Sequence, residues 1–487
     1  MIVYLMVLIP IITGLLLPFL KLNKTNRSIY VVLSALITSA IAIFTIVNYV
    51  IIDFNIFSIN QIFTIGFKND GLSKVFTMIL SVLWPLATLY ATEYMEHENN
   101  IDSFFRYYLI AYGIALGLSH SKNLITMYLF YELLTFLTLP LVMHKLEDKN
   151  SLYAGKVYLT LSIFGASMAL MGIIIFSTIS NNLDFVYGGL LSGLINIDNI
   201  NLIQISYILM FIGFGVKAAI IPFTYWLPLA GCAPTPVSAL LHAVAVVKAG
   251  VFAIMRCTYY SFGAGALRGS VAQIICITLS ILTIIYGSIM AVREKHIKRR
   301  LAYSTASNLS YILFAVTLMT TDAFAAGITH MMFHAIIKIN LFFAAGSIMI
   351  YANKEYVDDV KGLAKFMPVT FITFTIASLG LIGIPLTCGF ISKYALITSA
   401  ISEGSIKAYL GIGAIIISAI LTLVYLFTIV INAYLPADEN TKNINNVKET
   451  GIRIKTVLII ITFMIIYFGI NSIDLLSFIE SVSKGLI

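Results

Sequence analysis

Residues 213–231 read GFGVKAAIIPFTYWLPLAG, and they set Lys217 inside an apolar run five residues before Pro222. A second stretch, residues 380–396, reads GLIGIPLTCGFISKYAL and puts Lys393 eight residues after Pro385. An ammonium group at hydrocarbon depth is costly unless it serves a path or a partner. Proline removes a backbone donor and frees a carbonyl, so each stretch predicts a broken helix beside a buried lysine. Freed backbone groups are tolerated at that depth only inside protein or at a wet cavity.

The rest of the chain supplies the depth. Apolar residues make up 60% of the 487, charged residues 11%, and the mean hydropathy is +0.96. Soluble domains hold roughly 45–50% apolar residues. Stretches of about 20 apolar residues recur from end to end, each able to cross a roughly 30 Å hydrocarbon core. They are continuous rather than alternating, which excludes a β-barrel. The expected fold is therefore all-α and polytopic.

About fourteen spans are expected, near 1–20, 29–52, 71–92, 103–119, 123–143, 152–178, 202–227, 237–260, 270–292, 299–320, 323–350, 367–397, 407–434 and 454–478. The first has no basic region before it and no clear cleavage site, so it reads as a retained span rather than a signal peptide. The run Arg293–Arg300, REKHIKRR, follows the ninth span and is the strongest inside signal. With basic loops after spans 1, 5, 11 and 13, it places both termini outside. Glu93, Glu96, Glu98 and Asp102 after span 3 run against that bias, but acidic residues count little in it.

In this topology spans 7 and 12 cross in opposite directions. Lys-then-Pro in one becomes Pro-then-Lys in the other, as two halves related by an in-plane two-fold would produce. Spans 4–8 and 9–13 are the natural inverted five-helix repeats, with discontinuous helices 7 and 12. The units are then residues 1–102 with three leading helices, 103–260 and 261–434 as the repeats, and 435–487 with the last helix.

Further ionisable groups lie in the spans. Glu132 has no basic neighbour three or four residues away, so its expected partner is Lys217 on another helix. Such a pair holds the proton on the lysine, and weakening it releases the proton. In span 8, His242 and Lys248 sit on different faces, with Lys248 central. In span 11, His330, His334 and Lys338 fall at i, i+4 and i+8 on one face. They read as a stripe along a hydrated path, because histidine titrates near neutrality. Ser162, Ser167, Ser304, Thr305, Ser307 and Asn308 are candidate water-holding hydroxyls and amide between spans, and Ser392 and Tyr394 flank Lys393. Arg256 reads as a snorkelling anchor and Arg299–Arg300 as a solvated boundary. Gly113, Gly117, Gly213 and Gly215 have helix-packing spacings.

No metal site is expected: the two histidines lack a HExxH pattern and a third ligand, and Cys232, Cys257, Cys276 and Cys388 are scattered fillers. No Walker A or dinucleotide fingerprint is visible, so no cofactor and no bond chemistry of the chain's own are expected. The net charge of +8 suits topology and lipid headgroups rather than nucleic acid. Bases outnumber carboxylates at depth, which favours protons over sodium as the ion carried.

The stretches YELLTFLTLPLV, GFGVKAAIIPFTYWLPLAGCAPTPVSALLHAVAVVKAG, HMMFHAIIKINLFFAAG and GIPLTCGFISKYAL resemble the antiporter-like subunits shared by respiratory complex I (subunits L, M and N), Mrp cation/proton antiporters and membrane-bound energy-converting hydrogenases. The context of Glu132 is similar to the branch that holds the M-type member of complex I and the D-type member of Mrp. The resemblance covers nearly the whole chain. It implies fourteen helices, Glu132 and Lys217 as a charged pair, Lys248 as a central relay, His330, His334 and Lys338 as the middle link, and Lys393 as the distal base. It also implies a multisubunit complex in the cell membrane, with further antiporter-like subunits as partners. Protons would be carried by this chain, and Na+ or redox coupling, as in a proton-pumping oxidoreductase, would come from the partners. Two other classes fit the composition: a stand-alone solute transporter, which needs a midplane pocket with substrate-shaping groups, and a structural membrane subunit with a vestigial path.

Overall fold

The computed structural model describes residues 2–48, 50–60, 63–191, 193–196, 198–436 and 447–486. Long helices dominate: α1 (Ile2–Leu16), α2 (Lys24–Val47), α3 (Gly71–Tyr94), α4 (Ile101–Ser119), α5 (Leu124–Val142), α6 (Lys149–Ile179), α7 (Ile200–Lys217) and α8 (Thr235–Phe262) form the first part. Then come α9 (Val271–Arg293), α10 (Ile297–Leu318), α11 (Thr321–Tyr351), α12 (Pro368–Ile382), α13 (Cys388–Glu403), α14 (Ile406–Tyr434), α15 (Ile452–Ile470) and α16 (Ile473–Ser483). Among the described residues twelve helices are long and apolar enough to cross a membrane, and the chain is a multi-pass integral membrane protein of about twelve to fourteen long helices.

Short polar residues start these helices. Asn23, Asp70, Asn123, Asp148, Ser270, Thr320 and Ser405 each accept a bond from a backbone N–H of the following turn, which satisfies a donor that the helix leaves free. Helices α8 and α10 are buried throughout their spanning windows and α11 over 89% of its own, so these three form the centre and the others ring them. Glycines bring the ring close. A Cβ on Gly165 would stand 2.7 Å from the Gly213 carbonyl, and one on Gly213 would stand 2.6 Å from the Gly165 carbonyl, so α6 and α7 cross backbone to backbone.

Three features depart from the sequence expectation. The discontinuities were expected in helices 7 and 12, and α8 is bent as well: π-helical turns occupy 240–244 and 257–262, with Ala245 between the first and the next α-helical stretch. Second, the segment after α2 is a β-hairpin. Strands β1 (Asp53–Ser58) and β2 (Thr64–Lys68) pair antiparallel, Asp53 opposite Lys68, with a bulge between Asn55 and Phe57. The hairpin docks through Lys122 N to the Gly66 carbonyl and Asn123 Nδ2 to the Thr64 side chain. Third, the expected last span, 454–478, divides into α15 and α16.

The acidic loop after α3 finds its physical reason here. Glu96 pairs with Lys24 and Arg453, Glu98 with Lys145, and Asp102 with Arg27. These partners lie in the first turn of α2, in the loop after α5 and in the first turn of α15, so the links after α1, α3, α5 and α14 share one face. On the opposite face Lys122 pairs with Asp53 and Asp184, and the Tyr187 hydroxyl donates to the Ser483 carbonyl at the end of α16. Glu93 is buried and caps α15, accepting from Arg453 N at 3.0 Å, Ile454 N at 3.3 Å and the Tyr351 hydroxyl at 2.8 Å. Glu93→Ala is expected to cost about 1–2 kcal/mol, the scale of a lost cap, read as earlier thermal unfolding in detergent. Full heat resistance in that variant would show that α15 needs no cap.

Candidate functional site

Besides Lys74 and Lys298 in the first turns of α3 and α10, four lysines, Lys217, Lys248, Lys338 and Lys393, are buried in the membrane body. Among the described residues none of these four makes an ion pair. Each is instead solvated by carbonyls, hydroxyls or an imidazole. This arrangement corrects the expected Glu132–Lys217 contact. The Lys217 ammonium donates to the carbonyl of Tyr131, the residue before Glu132, and lies 3.3 Å from the centre of the Tyr131 ring. Glu132 remains close enough to feel the Lys217 charge, but its Oε1 is buried without a hydrogen-bond partner.

The chain leaves helical geometry next to both outer lysines. Helix α7 ends at Lys217, and the link to the next helical turns holds Ala219 at φ 56°. Helix α12 ends at Ile382, and the link to α13 holds Gly383 at φ 93° and Leu386 at φ 70°. A side chain at positive φ is strained, and such residues gather at functional sites. Lys393 reaches back across this link and donates to the Ile382 carbonyl at 2.9 Å. The Lys393 ammonium thus sits at the carboxyl end of α12, where the backbone dipole is negative, on its last carbonyl; Lys217 is the last residue of α7, and its ammonium reaches a carbonyl within α5.

Between them a row of contacts crosses the core. Lys248 Nζ lies 2.7 Å from His334 Nδ1. The His334 and His330 rings are 5.8 Å apart, and His330 Nδ1 lies 3.0 Å from Ser392 Oγ, the neighbour of Lys393. Tyr311 stacks on His330 at 5.4 Å and places its ring 5.6 Å from the Lys393 ammonium. When Lys248 carries its proton, His334 Nδ1 must accept, so the ring proton sits on Nε2. An imidazole in that state can take a proton at one nitrogen and release one from the other. The Nε2 atoms of both histidines are buried without a protein partner.

Two expected members stand beside this row. Lys338 turns toward α10 and donates to the Leu301 carbonyl at 2.9 Å and Ser304 Oγ at 2.7 Å. His242 stacks on Phe342 at 4.8 Å, and neither ring nitrogen has a partner. At the head of the row, a Cβ on Gly250 would meet the Phe214 carbonyl at 2.8 Å and Lys217 Cβ at 3.1 Å, so α8 lies directly against the end of α7.

Several polar groups were missed or misread. Tyr425 donates to Ser304 at 2.7 Å and lies 3.1 Å from Thr422, while Ser288, Ser307 and Ser418 form a buried triangle with sides of 2.5–3.0 Å. The spacing Ser418, Thr422, Tyr425 is a readable helical stripe that could have revealed this cluster. Ser167 is exposed, and its hydroxyl bonds back to the Ile163 carbonyl. Arg300 is buried and holds the Glu294 and Tyr425 carbonyls, whereas Arg299 is exposed. Arg256 is buried against Asp70 and is not a snorkelling anchor. At the α10 entrance, burial and the nearby Lys298 hold the His296 imidazole below its ordinary value, against the pull of Glu355.

Residues 121–422 match the family described as NADH:quinone oxidoreductase/Mrp antiporter, TM, and residues 57–105 match the complex I chain 5 N-terminus. A putative antiporter subunit mnhA2 of Staphylococcus haemolyticus (strain JCSC1435) is 32% identical over 387 residues, covering 76% of this chain and 47% of that protein. The Na(+)/H(+) antiporter subunit A1 of Staphylococcus aureus (strain MRSA252) is 30% identical over 375 residues, covering 74% and 45%. The chain spans about half the length of these curated relatives. Among solved structures, the fold matches a chain of an archaeal membrane-bound sulfane sulfur reductase (TM-score 0.86, 22% identity) and one of the Mrp complex from Dietzia sp. DQ12-45-1b (0.86, 20%). Each match covers 99% of this chain and 97% of the other.

Proposed function

The chain belongs to the NADH:quinone oxidoreductase/Mrp antiporter membrane family, and from that premise we propose that it is a proton-translocating subunit of a larger membrane complex. The observation that carries the reading is the row Lys248, His334, His330, Ser392, Lys393, buried and nearly continuous across the core. Glu132 and Lys217 load one end of it, and Lys393 discharges the other. Lys338 and His242 act from the sides, through their charge or through water. Protons are the ion carried here, and any exchange of Na+ or redox coupling resides in partner subunits, among them further antiporter-like chains.

Residues 103–260 and 261–434 are read as two inverted halves, each with a discontinuous helix, the seventh and the twelfth. What supports this is the place of Lys217 and Lys393 beside the two links, which hold the positive-φ residues Ala219 and Leu386. Both termini are placed outside, because the ion-paired face carrying the loops after α1, α3, α5 and α14 is also the richer in lysine and arginine. The cavity between α3, α11 and α15 lacks the substrate-shaping groups that a stand-alone solute transporter needs. Its eight lining side chains, Met332 and Phe468 among them, are all apolar, and it holds only about 60 Å³.

Glu132 gives the direct test of the loading end. In the reconstituted complex Glu132→Gln is expected to lower proton flux more than Glu132→Asp, because only the carboxylate can bias the Lys217 proton. Equal flux in wild type and both variants would reduce Glu132 to a structural residue.

A further inference from the structure

Among the described residues the one hydrogen-bond acceptor of the fully buried Lys217 ammonium is a carbonyl, not a carboxylate. The ammonium rests on a single residue, Tyr131 of α5, in two ways at once. It donates to the Tyr131 carbonyl, and it stands 3.3 Å from the centre of the Tyr131 ring. That ring is fixed in place. It is buried, its edge meets the Phe214 ring at 5.0 Å and 81°, and its hydroxyl donates to the Phe214 carbonyl at 3.4 Å. Phe214 lies on α7 three residues before Lys217, so one tyrosine grips both the body of α7 and the ammonium at its end. Helix α8 closes on the same lysine, since a Cβ on Gly250 would stand 3.1 Å from Lys217 Cβ.

The distal lysine has a seat of the same kind. Lys393 donates to the Ile382 carbonyl at 2.9 Å, and the centre of the Tyr311 ring lies 5.6 Å from its ammonium. Tyr131 and Tyr311 stand on α5 and α10, the second helix of each proposed half. A carbonyl and a tyrosine face, with no opposing charge, thus recur at both ends of the row.

We infer that Tyr131 is a positioning residue that holds the protonated Lys217 on its ring face, apart from Glu132. The inference rests on the function proposed above and names what keeps the lysine in place once the carboxylate lets go.

The chemistry of the seat selects for charge. The face of an aromatic ring attracts an ammonium within about 6 Å, most strongly where water is excluded. A neutral amine gives the ring nothing to hold, so the seat serves the lysine only while its proton is on. Glu132, the next residue on α5, offers the competing seat, and its Oε1 is buried without a hydrogen-bond partner. Opposite charges in a dry interior attract more strongly than a charge and a ring do. A lysine locked on the carboxylate would not pass its proton on. The ring and the carbonyl hold the charge without that lock. Without the ring, Lys217 either falls onto Glu132 or gives up its proton early, and both slow transfer.

Proton flux through the reconstituted complex tests the inference. Tyr131→Leu is expected to lower flux about tenfold, the scale of one buried cation–ring contact. Tyr131→Phe keeps the ring, loses only the hydroxyl and is expected to recover most of that loss. The sharper series places phenylalanines with one, two and three ring fluorines at position 131. Fluorine draws electron density from the ring face and nearly preserves its shape, so flux is expected to fall step by step with each fluorine. A merely structural ring predicts a level series. A level series, full flux in Tyr131→Leu, or a Tyr131→Phe variant as impaired as Tyr131→Leu would overturn the inference. Lys217→Ala separates this failure from the other: if that variant retains flux, it is the proposed function that falls.

Discussion

Replacing Lys248 with Met is expected to lower proton flux by about 100-fold or more, the scale of a lost proton-transfer group, while the complex still assembles. Lys248 is fully buried in the central helix α8, and its ammonium is the direct partner of His334 Nδ1. Methionine keeps most of the volume and removes a buried cation that no carboxylate compensates, so folding is expected to survive. Lys248→Ala should give the same flux with more loss of stability, because it leaves a cavity. Lys248→Arg is the sharper variant. A guanidinium preserves the charge but does not give up its proton in a protein. A fixed-charge role predicts that Arg restores flux, and a proton-carrying role predicts that it does not. Flux is read as acidification or alkalinisation of vesicles holding the reconstituted complex. More than half of wild-type flux in the Met variant would remove Lys248 from the path.

The sequence revealed the types of groups at depth better than their partners. Lys217 and Lys393 were legible because a lysine in an apolar run stands out beside a proline, and helices do end next to both. The face shared by His330 and His334 was legible from four-residue spacing alone, and Lys248 docks on that face. The Glu132–Lys217 ion pair was expected from the sequence and is not formed. The lysine side chain is long enough to choose between a carboxylate and the carbonyl one residue earlier, and it takes the Tyr131 carbonyl. Lys338 shares the spacing of the histidines, yet its four carbons carry the ammonium over to Ser304 on α10. Such choices are made by rotamers and by neighbours distant in sequence, which periodicity does not encode. The β-hairpin at 53–68 was hidden for another reason. Its apolar residues extend the run of α2, and only its docking on the Gly66 and Thr64 side shows why the chain leaves the helix at Val47.

Arg256 shows how burial reverses a sequence reading and carries the largest expected effect on stability. Its side chain is 1% exposed, between Phe185, Phe252 and Tyr260, whose ring centres lie 4.7–5.1 Å from the guanidinium carbon. It donates to both oxygens of Asp70, at 2.5 and 2.9 Å, and to Ser73 Oγ at 2.7 Å. Asp70 in turn accepts from Ser73 N and starts α3. One guanidinium therefore ties the end of α8, the helix of Lys248, to the start of α3. Arg256→Ala strands the Asp70 carboxylate and is expected to cost about 3–5 kcal/mol, the usual result of halving a buried pair. Reduced thermal midpoint and loss of assembled complex should both follow. Lys in its place offers a point charge without the two-pronged geometry and should recover only part of the loss. The double variant Arg256→Met with Asp70→Asn removes both charges while asparagine can still cap α3. It should be more stable than Arg256→Ala alone, since no charge is left unpaired. If the double variant is no better, the cost lies in lost packing rather than in the stranded carboxylate. If Arg256→Ala itself matches wild type, the link between α8 and α3 carries no stability.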